Sequence, residues 1–202
     1  MAAILILFAH PALEKSRVHT RLLRHIRHLE GVTIHDLYEH YPDFDIDVQE
    51  EQRLLLRHDI IIMQHPFYWY STPAILKQWQ DLVLEHAWAY GSKGKMLTGK
   101  KLLNAISCGG RLQAYQPDGL NRYTIRQLLS PIEQTARLCN MIYMPPFVIH
   151  GTHKLNDGDI ELYSVQYEQL LIALRNDRIA DNEWQTANYM NDLIPIPEHI
   201  QS

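Results

Sequence analysis

The sequence predicts an α/β fold in which helices cover both faces of a doubly wound, five-stranded parallel sheet. Two observations support this prediction. Short apolar runs without alternation recur along the chain, at 3–9, 59–63, 102–107, 144–149 and, more weakly, 32–37. Helix-like segments with an apolar stripe lie between or after them, at 16–29, 48–58, 72–86, 128–139 and 158–174. Such apolar runs are typical of parallel strands buried on both faces, and their alternation with helices is typical of doubly wound folds.

The predicted helices are supported by their stripes and by start signals. The first helix has arginine and histidine on one side and apolar residues on the other. Its apolar stripe consists of Val18, Leu22, Leu23, Ile26 and Leu29. Thr72 and Pro73 begin the third helix, and Ser130 and Pro131 lie near the start of the fourth. A hydroxyl residue followed by proline is a frequent helix start, because the hydroxyl caps and proline fits the first turn.

The chain is predicted to form one folded unit with a short tail. Its 202 residues, of which 46% are hydrophobic, suffice for one domain with a sizeable core. We assign residues 1–175 to this domain. The polar, weakly periodic segment 176–202 either packs on its surface, crosses to a partner subunit or is partly disordered.

The composition indicates which classes of partner the protein does not bind and which cellular compartment it occupies. The net charge of -4 and the scattered Lys and Arg argue against nucleic acid, which requires a basic stripe. The first residues lack the basic region of a signal peptide, and no apolar run reaches the roughly 18 residues of a membrane span. Two cysteines, Cys108 and Cys139, are too few for a disulfide framework. We therefore expect a soluble, cytoplasmic protein, with most of its 12 histidines at the surface.

Three loops are expected at the ligand site, because doubly wound sheets bind ligands outside the carboxyl ends of their strands. They span residues 10–17, 65–71 and 107–120. The first loop contains neither G-x-G-x-x-G nor G-x-x-x-x-G-K-[ST], so the dinucleotide and P-loop fingerprints are absent.

The start of the first helix is a candidate phosphate site, since free N–H groups at a helix N-terminus bind anions. Ser16 is placed either to donate to a phosphate or only to cap the helix. Arg17 and His19 are expected to add positive charge. His10 either contacts the phosphate or closes the end of the first strand.

The second loop holds four consecutive large rings between two prolines. The rings are Phe67, Tyr68, Trp69 and Tyr70, and the prolines are Pro66 and Pro73. A segment bounded in this way is neither strand interior nor helix interior. A planar, conjugated ligand would explain the rings through stacking, and a hydrophobic plug or a dimer patch is the alternative.

The third loop begins S-C-G-G at 107–110. Paired glycines let the backbone approach a ligand closely and adopt positive φ. We interpret Cys108 as a small lining side chain rather than a redox-sensitive thiol, because the sequence places no base or cation beside it. The acidic run 41–47 lacks the spacing and glycine of an EF-hand, so we interpret it as a solvated turn and assign no metal site.

Several stretches resemble the flavodoxin-like NAD(P)H:quinone reductases. They are F-A-H-P (8–11), H-D-L-Y-x-x-Y-P-D-F (35–44), Q-H-P-F-Y-W-Y-S-T-P-A-I-L-K-Q-W (64–79), A-W-A-Y-G (87–91) and G-K-K-L (99–102). Within this family the sequence is similar to the KefF and KefG ancillary proteins of glutathione-gated bacterial potassium efflux systems. The stretch L-N-R-Y (120–123) is closer to the KefG type. The resemblance extends over residues 3–175.

The resemblance implies a flavodoxin-like fold with an FMN cofactor. The family's phosphate loop corresponds to His10, Ser16, Arg17, Val18 and His19. The loops beside the isoalloxazine ring correspond to Phe67, Tyr68, Trp69 and Tyr70 and to Ser107, Cys108, Gly109 and Gly110. The implied activity is two-electron, ping-pong hydride transfer from NAD(P)H through FMN to a quinone, with Tyr115 as a catalytic hydrogen-bond donor.

The resemblance also implies a homodimer that docks on a potassium efflux transporter at the cytoplasmic face of the membrane. The sequence departs from the family pattern in its third loop. Ser-Cys-Gly-Gly replaces Thr-Thr-Gly-Gly, Arg111 and Leu112 follow it, and Asn121 occupies the spacing of a family histidine. These departures suggest an alternative function, a non-catalytic regulatory subunit of the transporter whose flavin is structural, redox-sensing or lost. An electron-transfer flavodoxin is disfavoured by the modest net charge and by the long aromatic loop.

Overall fold

The computed structural model describes residues 1–195 and confirms the predicted α/β class. The strands are β1 (Ile4–Phe8), β2 (Val32–Asp36), β3 (Ile60–Pro66), β4 (Lys101–Ser107), β5 (Ile142–Tyr143) and β6 (Phe147–Ile149). All strand pairs are parallel, in the order β2-β1-β3-β4-β5, and β6 also pairs with β4. This is the strand order of a flavodoxin-like sheet.

The helices follow the predicted pattern, with additional short turns. They are α1 (Arg17–Ile26), α2 (Leu37–His40), α3 (Val48–Arg57), α4 (Ala74–Val83), α5 (Ile125–Leu128), α6 (Ser130–Leu138), α7 (Asp157–Arg175) and α8 (Asp181–Thr186). The predicted helices correspond to α1, α3, α4, α6 and α7. The other three have only four to six residues, too few to show a helical period. Within residues 1–195, no helix combines the length and the apolar character needed to cross a bilayer.

The start of α4 differs from the sequence prediction. Pro73 is the residue before the helix and not its first residue, and no side chain caps this end.

The predicted strand at 144–149 is shorter than expected. Only Phe147–Ile149 of this run form a strand, β6, and the short strand β5, Ile142–Tyr143, lies before the run. Pro145 and Pro146 lie between them, and proline has no N–H to donate to the ladder. β6 nevertheless pairs with β4, so a strand at the predicted run is retained, and β5 pairs with the other end of β4.

The sheet is buried on both faces, as continuous apolar strands predict. All five residues of β1 are fully buried. Leu5 and Leu7 belong to the core on the side of α3, α4 and α6, whereas Ile4 and Ile6 belong to the core on the side of α1 and α7. Alternating residues of one strand therefore stabilise both layers.

The segment after α7 packs on the domain as far as it is described. Trp184, Met190 and Ile194 are buried and join the core on the α7 side. Asn191 Oδ1 accepts from the Val148 N–H (2.8 Å), and Gln166 Nε2 donates to the carbonyl oxygen of Ile194 (2.8 Å). Of the outcomes expected for 176–202, packing on the surface describes residues 176–195, and residues 196–202 lie outside the described part.

Histidine placement differs from the expectation that most lie at the surface. Buried histidines are His10, His19, His35, His58 and His65. Four of these imidazoles, all but His10, have polar side-chain partners from elsewhere in the chain. For example, His35 Nε2 lies 2.7 Å from the buried Glu51 carboxylate, which also accepts from Tyr41 and Trp79. Composition alone does not reveal such partners, which explains the error.

A row of polar side chains crosses the sheet near its carboxyl edge. His65 and Asn104, on adjacent strands, are fully buried. Asn104 Nδ2 donates to His65 Nε2 (3.1 Å), and Asn104 Oδ1 accepts from the Tyr143 hydroxyl (2.8 Å). His65 Nδ1 lies 3.0 Å from the carbonyl oxygen of Pro66 and donates to it. The row therefore requires a neutral imidazole, and burial lowers the pKa of His65 to about 4.

This neutral histidine predicts that stability depends on pH. In the unfolded chain an imidazole takes up a proton below a pKa of about 6.5, whereas His65 in the folded protein does so only near 4. Its contribution is therefore complete above the unfolded pKa and decreases as the pH falls towards 4. At about pH 5 we expect a loss of about 2 kcal/mol in the free energy of unfolding from this group.

Denaturant unfolding of the wild type and of His65→Gln at about pH 7 and about pH 5 measures this loss. The glutamine does not titrate, so the variant should lack this part of the pH dependence. The same pH dependence in both proteins would contradict the prediction.

Candidate functional site

The predicted loops meet around two adjoining cavities at the carboxyl edge of the sheet. The first, the inner cavity, has a volume of about 540 Å³, and nine predicted residues line it: His10, Ser16, Arg17, Val18, Phe67, Tyr68, Ser107, Cys108 and Gly109. The second, the outer cavity, has a volume of about 310 Å³, shares Phe67, and is lined by Trp69, Tyr70, Gly110 and Tyr115. The remaining predicted residue, His19, is buried and lines neither cavity.

A fourth loop also contributes, which the sequence analysis did not include. The inner cavity is further lined by Ala12, Lys15, Pro66, Thr152 and His153. Thr152 and His153 follow β6 directly, at the same edge as the other loops. The Thr152 N–H donates to the carbonyl oxygen of Cys108 (3.1 Å), which ties this loop to the third one. The signal was present in the sequence, since H-G-T-H comes immediately after the last apolar run.

The start of α1 offers free hydrogen-bond donors to the inner cavity. Ser16 Oγ accepts from the His19 N–H (3.1 Å), so its side chain caps the helix. In the described part of the chain, the N–H groups of Arg17 and Val18 have no acceptor, and both residues line the cavity. Unsatisfied donors at a helix N-terminus favour an anion.

Charge around the inner cavity is also suited to an anion. Lys15 and Arg17 line it, and no Asp or Glu does so among residues 1–195. The Arg17 guanidinium pairs with exposed Asp157 at 2.6 Å and donates to the carbonyl oxygen of Leu155 at 3.2 Å. The Asp157 carboxylate thereby holds the guanidinium beside residues 155–157. The backbone N–H of Arg17 takes no part in these contacts and remains available to a ligand.

His10 of the first loop and His19 of α1 act differently from each other. His10 Nδ1 accepts from the Ala12 N–H (3.1 Å), so His10 closes the end of β1 while its ring also lines the inner cavity. His19 does not supply the positive charge expected of it. Burial, with smaller contributions from His10 and His65, holds the pKa of His19 well below its ordinary value. His19 is neutral and lies 2.8 Å, Nε2 to Oγ, from Ser107.

The aromatic loop is a tight turn with two rings at its tip. The Ser71 N–H donates to the carbonyl oxygen of Tyr68 (2.9 Å), and Trp69 and Tyr70 have φ of 50° and 63°. Positive φ at both central residues is the property of a type I′ turn, which favours Asn-Gly. Two bulky residues at these positions are strained by about 1 kcal/mol each. Trp69 nevertheless remains 92% exposed, so core packing does not explain it.

The outer cavity is bounded by apolar and amide side chains that face solvent. Leu120 and Asn121 line it together with the tip of the aromatic loop, and Leu120 is 88% exposed. The Tyr70 hydroxyl donates to Asn121 Oδ1 (3.2 Å), which connects the second and third loops. A hydroxyl–amide bond thus occupies the position where the family pattern places a histidine.

The paired glycines are required by side chains and not by their own backbone angles. Positive φ was expected there, but neither Gly109 nor Gly110 has it. A Cβ on Gly109 would lie 2.6 Å from His153 Nε2, and one on Gly110 would lie 2.8 Å from the Tyr115 ring. Each glycine therefore lets an aromatic ring pack directly on the loop.

Cys108 lies in an environment that keeps its thiol protonated. Its Sγ is 3.4 Å from His150 Nδ1, so a base is near in space although none is near in sequence. Burial raises the pKa of the Cys108 thiol to about 12 and lowers that of His150 to about 4. Burial likewise raises the pKa of Tyr115, which therefore remains a neutral hydrogen-bond donor. This supports the interpretation of Cys108 as a lining side chain.

Comparison with known proteins identifies a family profile and several similar proteins. A family profile described as Flavodoxin-like fold matches residues 2–171. The "Glutathione-regulated potassium-efflux system ancillary protein KefG" of Pectobacterium carotovorum subsp. carotovorum (strain PC1) is 47% identical over 170 residues, 84% of this chain and 93% of the relative.

Two solved structures are also similar. General stress protein 14 from Treponema denticola, in complex with FMN, is 41% identical with a TM-score of 0.82, and the match covers 85% of this chain and 99% of that one. An NADPH-quinone reductase from P. pentosaceus is 35% identical with a TM-score of 0.76, covering 83% and 96%.

The family match spans all of the strands and the four loops that form the two cavities. On the strength of this match and of the strand order, the chain belongs to the family of proteins with a flavodoxin-like fold.

Proposed function

We propose that the protein is an FMN-dependent NAD(P)H:quinone oxidoreductase whose flavin occupies the inner cavity and extends towards the outer one. The observation that carries this proposal is the arrangement of the inner cavity, with free helix N–H donors at one end and aromatic rings at the other. Its volume of about 540 Å³ lies within the range of small-molecule sites. The FMN complex of the similar Treponema denticola protein supports the choice of ligand.

The lining residues fit the two ends of FMN. At the phosphate end, the N–H groups of Arg17 and Val18 donate, and His10, Ser16 and Lys15 complete the pocket. A dianion there is favoured by the helix dipole and by the absence of lining carboxylates in residues 1–195. Bound FMN would supply two-electron transfer between NAD(P)H and a quinone.

At the ring end, the chain provides apolar surfaces and close backbone. Phe67 and Tyr68 line the inner cavity together with Cys108 and Gly109, and the rings of His153 and Tyr115 pack closely on Gly109 and Gly110. Trp69 and Tyr70 stand further out, on the outer cavity. We assign the first pair of rings to the flavin and the second pair to the substrate rings that stack beside it.

Tyr115 is our proposed catalytic residue. It lines the outer cavity at the Gly110 side, and its raised pKa keeps the hydroxyl protonated at neutral pH. A neutral donor at this place stabilises negative charge that develops on a bound ring. Asn121, at the family's histidine spacing, positions Tyr70 through its amide oxygen.

The second candidate function is regulatory. The 47% identity to a KefG protein favours a subunit that docks on a potassium efflux transporter at the cytoplasmic membrane face. Exposed apolar side chains around the outer cavity, Trp69 and Leu120, suit a protein contact, either with a transporter or with a second copy in a homodimer. A pull-down with the soluble domain of a Kef-type transporter that stays negative at high concentration would count against docking.

Flavin retention is the first test of the proposal. Protein mixed with FMN and passed through gel filtration should retain stoichiometric flavin, and anaerobic NAD(P)H should bleach its absorbance until a quinone restores it. Riboflavin is the matched control ligand, because it lacks the phosphate that the α1 donors bind. Loss of FMN on the column would overturn the site, and equal retention of riboflavin would overturn the phosphate assignment.

Tyr115→Phe removes the proposed donor while keeping the ring that covers Gly110. We expect kcat for quinone reduction to fall by about tenfold or more, because one hydrogen bond to developing charge is lost. FMN retention should stay unchanged, which separates catalysis from binding. Turnover at the wild-type rate would show that Tyr115 is not catalytic.

Replacing the tip of the aromatic loop tests its strain and its role together. The double variant Trp69→Asn, Tyr70→Gly fits the type I′ turn and relieves about 1 kcal/mol of strain at each position, but it also removes the Tyr70–Asn121 hydrogen bond. The net free energy of unfolding should therefore increase by about 1 kcal/mol. Loss of the stacking surface should raise KM for the quinone by about tenfold. Steady-state kinetics and chemical denaturation measure the two effects. A stabilised variant with unchanged KM would remove the loop tip from substrate binding.

A further inference from the structure

The Ser107 hydroxyl ends a buried chain of hydrogen bonds. Ser107 is the last residue of β4, is 8% exposed and lines the inner cavity. Its Oγ lies 2.8 Å from His19 Nε2 on α1. Behind it, His19 Nδ1 lies 3.4 Å from Gln64 Nε2 on β3, and Gln64 Oε1 accepts from the Tyr167 hydroxyl on α7 at 3.0 Å. Each residue belongs to a different element, and Tyr167 and Gln64 are fully buried.

The chemistry of the four side chains determines which group donates and which accepts in each of these hydrogen bonds. Tyr167 donates to the amide oxygen of Gln64, which leaves the Gln64 amide nitrogen facing His19. An amide nitrogen only donates, so His19 Nδ1 must accept. A neutral imidazole carries one N–H, which is then on Nε2 and donates to Ser107 Oγ. The neutral state of His19 agrees with its lowered pKa.

The opposite direction would leave a buried hydroxyl unsatisfied. With the Gln64 amide reversed, its nitrogen would donate to Tyr167, and the Tyr167 proton would need another acceptor. Among residues 1–195, Gln64 is the one hydrogen-bond partner of the Tyr167 hydroxyl. An unsatisfied buried donor costs about 1–3 kcal/mol, so the direction from Tyr167 to Ser107 is preferred.

The consequence appears at the cavity. Because Ser107 Oγ already accepts from His19, its own proton is available to another acceptor. In the described residues the hydroxyl has no second partner, and it borders the inner cavity. We infer that Tyr167, Gln64 and His19 are positioning residues that hold the Ser107 hydroxyl as a donor to an acceptor atom of the bound flavin, an inference that rests on the proposed function.

We call the hydrogen-bonded series Tyr167, Gln64, His19 and Ser107 the relay. The tautomer of His19 tests the direction of this relay without any flavin. In ¹⁵N NMR spectra of the ligand-free protein at neutral pH, His19 should show protonated Nε2 and unprotonated Nδ1. Tyr167→Phe should shift the population towards the Nδ1–H tautomer, because the Gln64 amide is then free to reverse. A wild-type His19 in the Nδ1–H form would overturn the inference, whatever the protein binds.

A double-mutant cycle tests whether the relay acts through Ser107. Tyr167→Phe and Ser107→Ala should each weaken FMN binding by about fivefold, and the double variant should be no weaker than Ser107→Ala alone. Tyr143→Phe is the matched control, since it also removes a tyrosine hydroxyl from an amide but in the row that ends at Pro66. It should leave FMN affinity unchanged.

The outcomes of these experiments distinguish the positioning role of Tyr167, Gln64 and His19 from the proposed FMN-dependent function. Additive losses in the double variant, or an equal loss in Tyr143→Phe, would show a general packing effect and overturn the positioning role. Failure of the wild type to bind FMN would instead overturn the proposed function, and the tautomer of His19 would still decide the direction of the relay.

Discussion

Every polar group placed inside this doubly covered sheet must find its partner within the protein. The strands are buried on both faces, so water does not reach Gln64, His65 or Asn104. Each of them is satisfied by a tyrosine–amide–histidine series that crosses from one element to another. Both series lie near the carboxyl edge, where the strands stop being purely apolar. Because each buried polar group must have a partner, the two series continue to the ends of the strands, where one reaches Ser107 and the other the carbonyl oxygen of Pro66.

The sequence predicted those parts of the fold that depend on local patterns. Strand runs and helical stripes follow from burial of one or both faces, and β1, α1 and α7 were located within a few residues. The predicted strand at 144–149 is shortened to Phe147–Ile149 because Pro145 and Pro146 lie in its first half. Short helices such as α2 carry no period. Helix α2 has instead a single cap, Asp36, whose side chain accepts from two N–H groups of α2.

The site was predictable as a set of loops but not as a set of roles. Strand order alone brings 10–17, 65–71 and 107–120 together, and they line the two cavities. The role of a side chain depends on its neighbours in space, which the sequence separates widely. His19 was expected to carry charge, yet it is a neutral link to Ser107, 88 positions away. Gly109 was expected to have an unusual backbone angle, yet it makes room for His153.

The segment 176–195 also bears on how the protein is to be handled as a fragment. The match to the family profile ends at residue 171, inside α7, whereas the hydrophobic core continues through Trp184, Met190 and Ile194. A chain trimmed at the similarity boundary would shorten the helix that carries Tyr167 and uncover an apolar flank on the α1 side of the sheet. The hydrophobic core of this chain thus extends beyond the end of the family match.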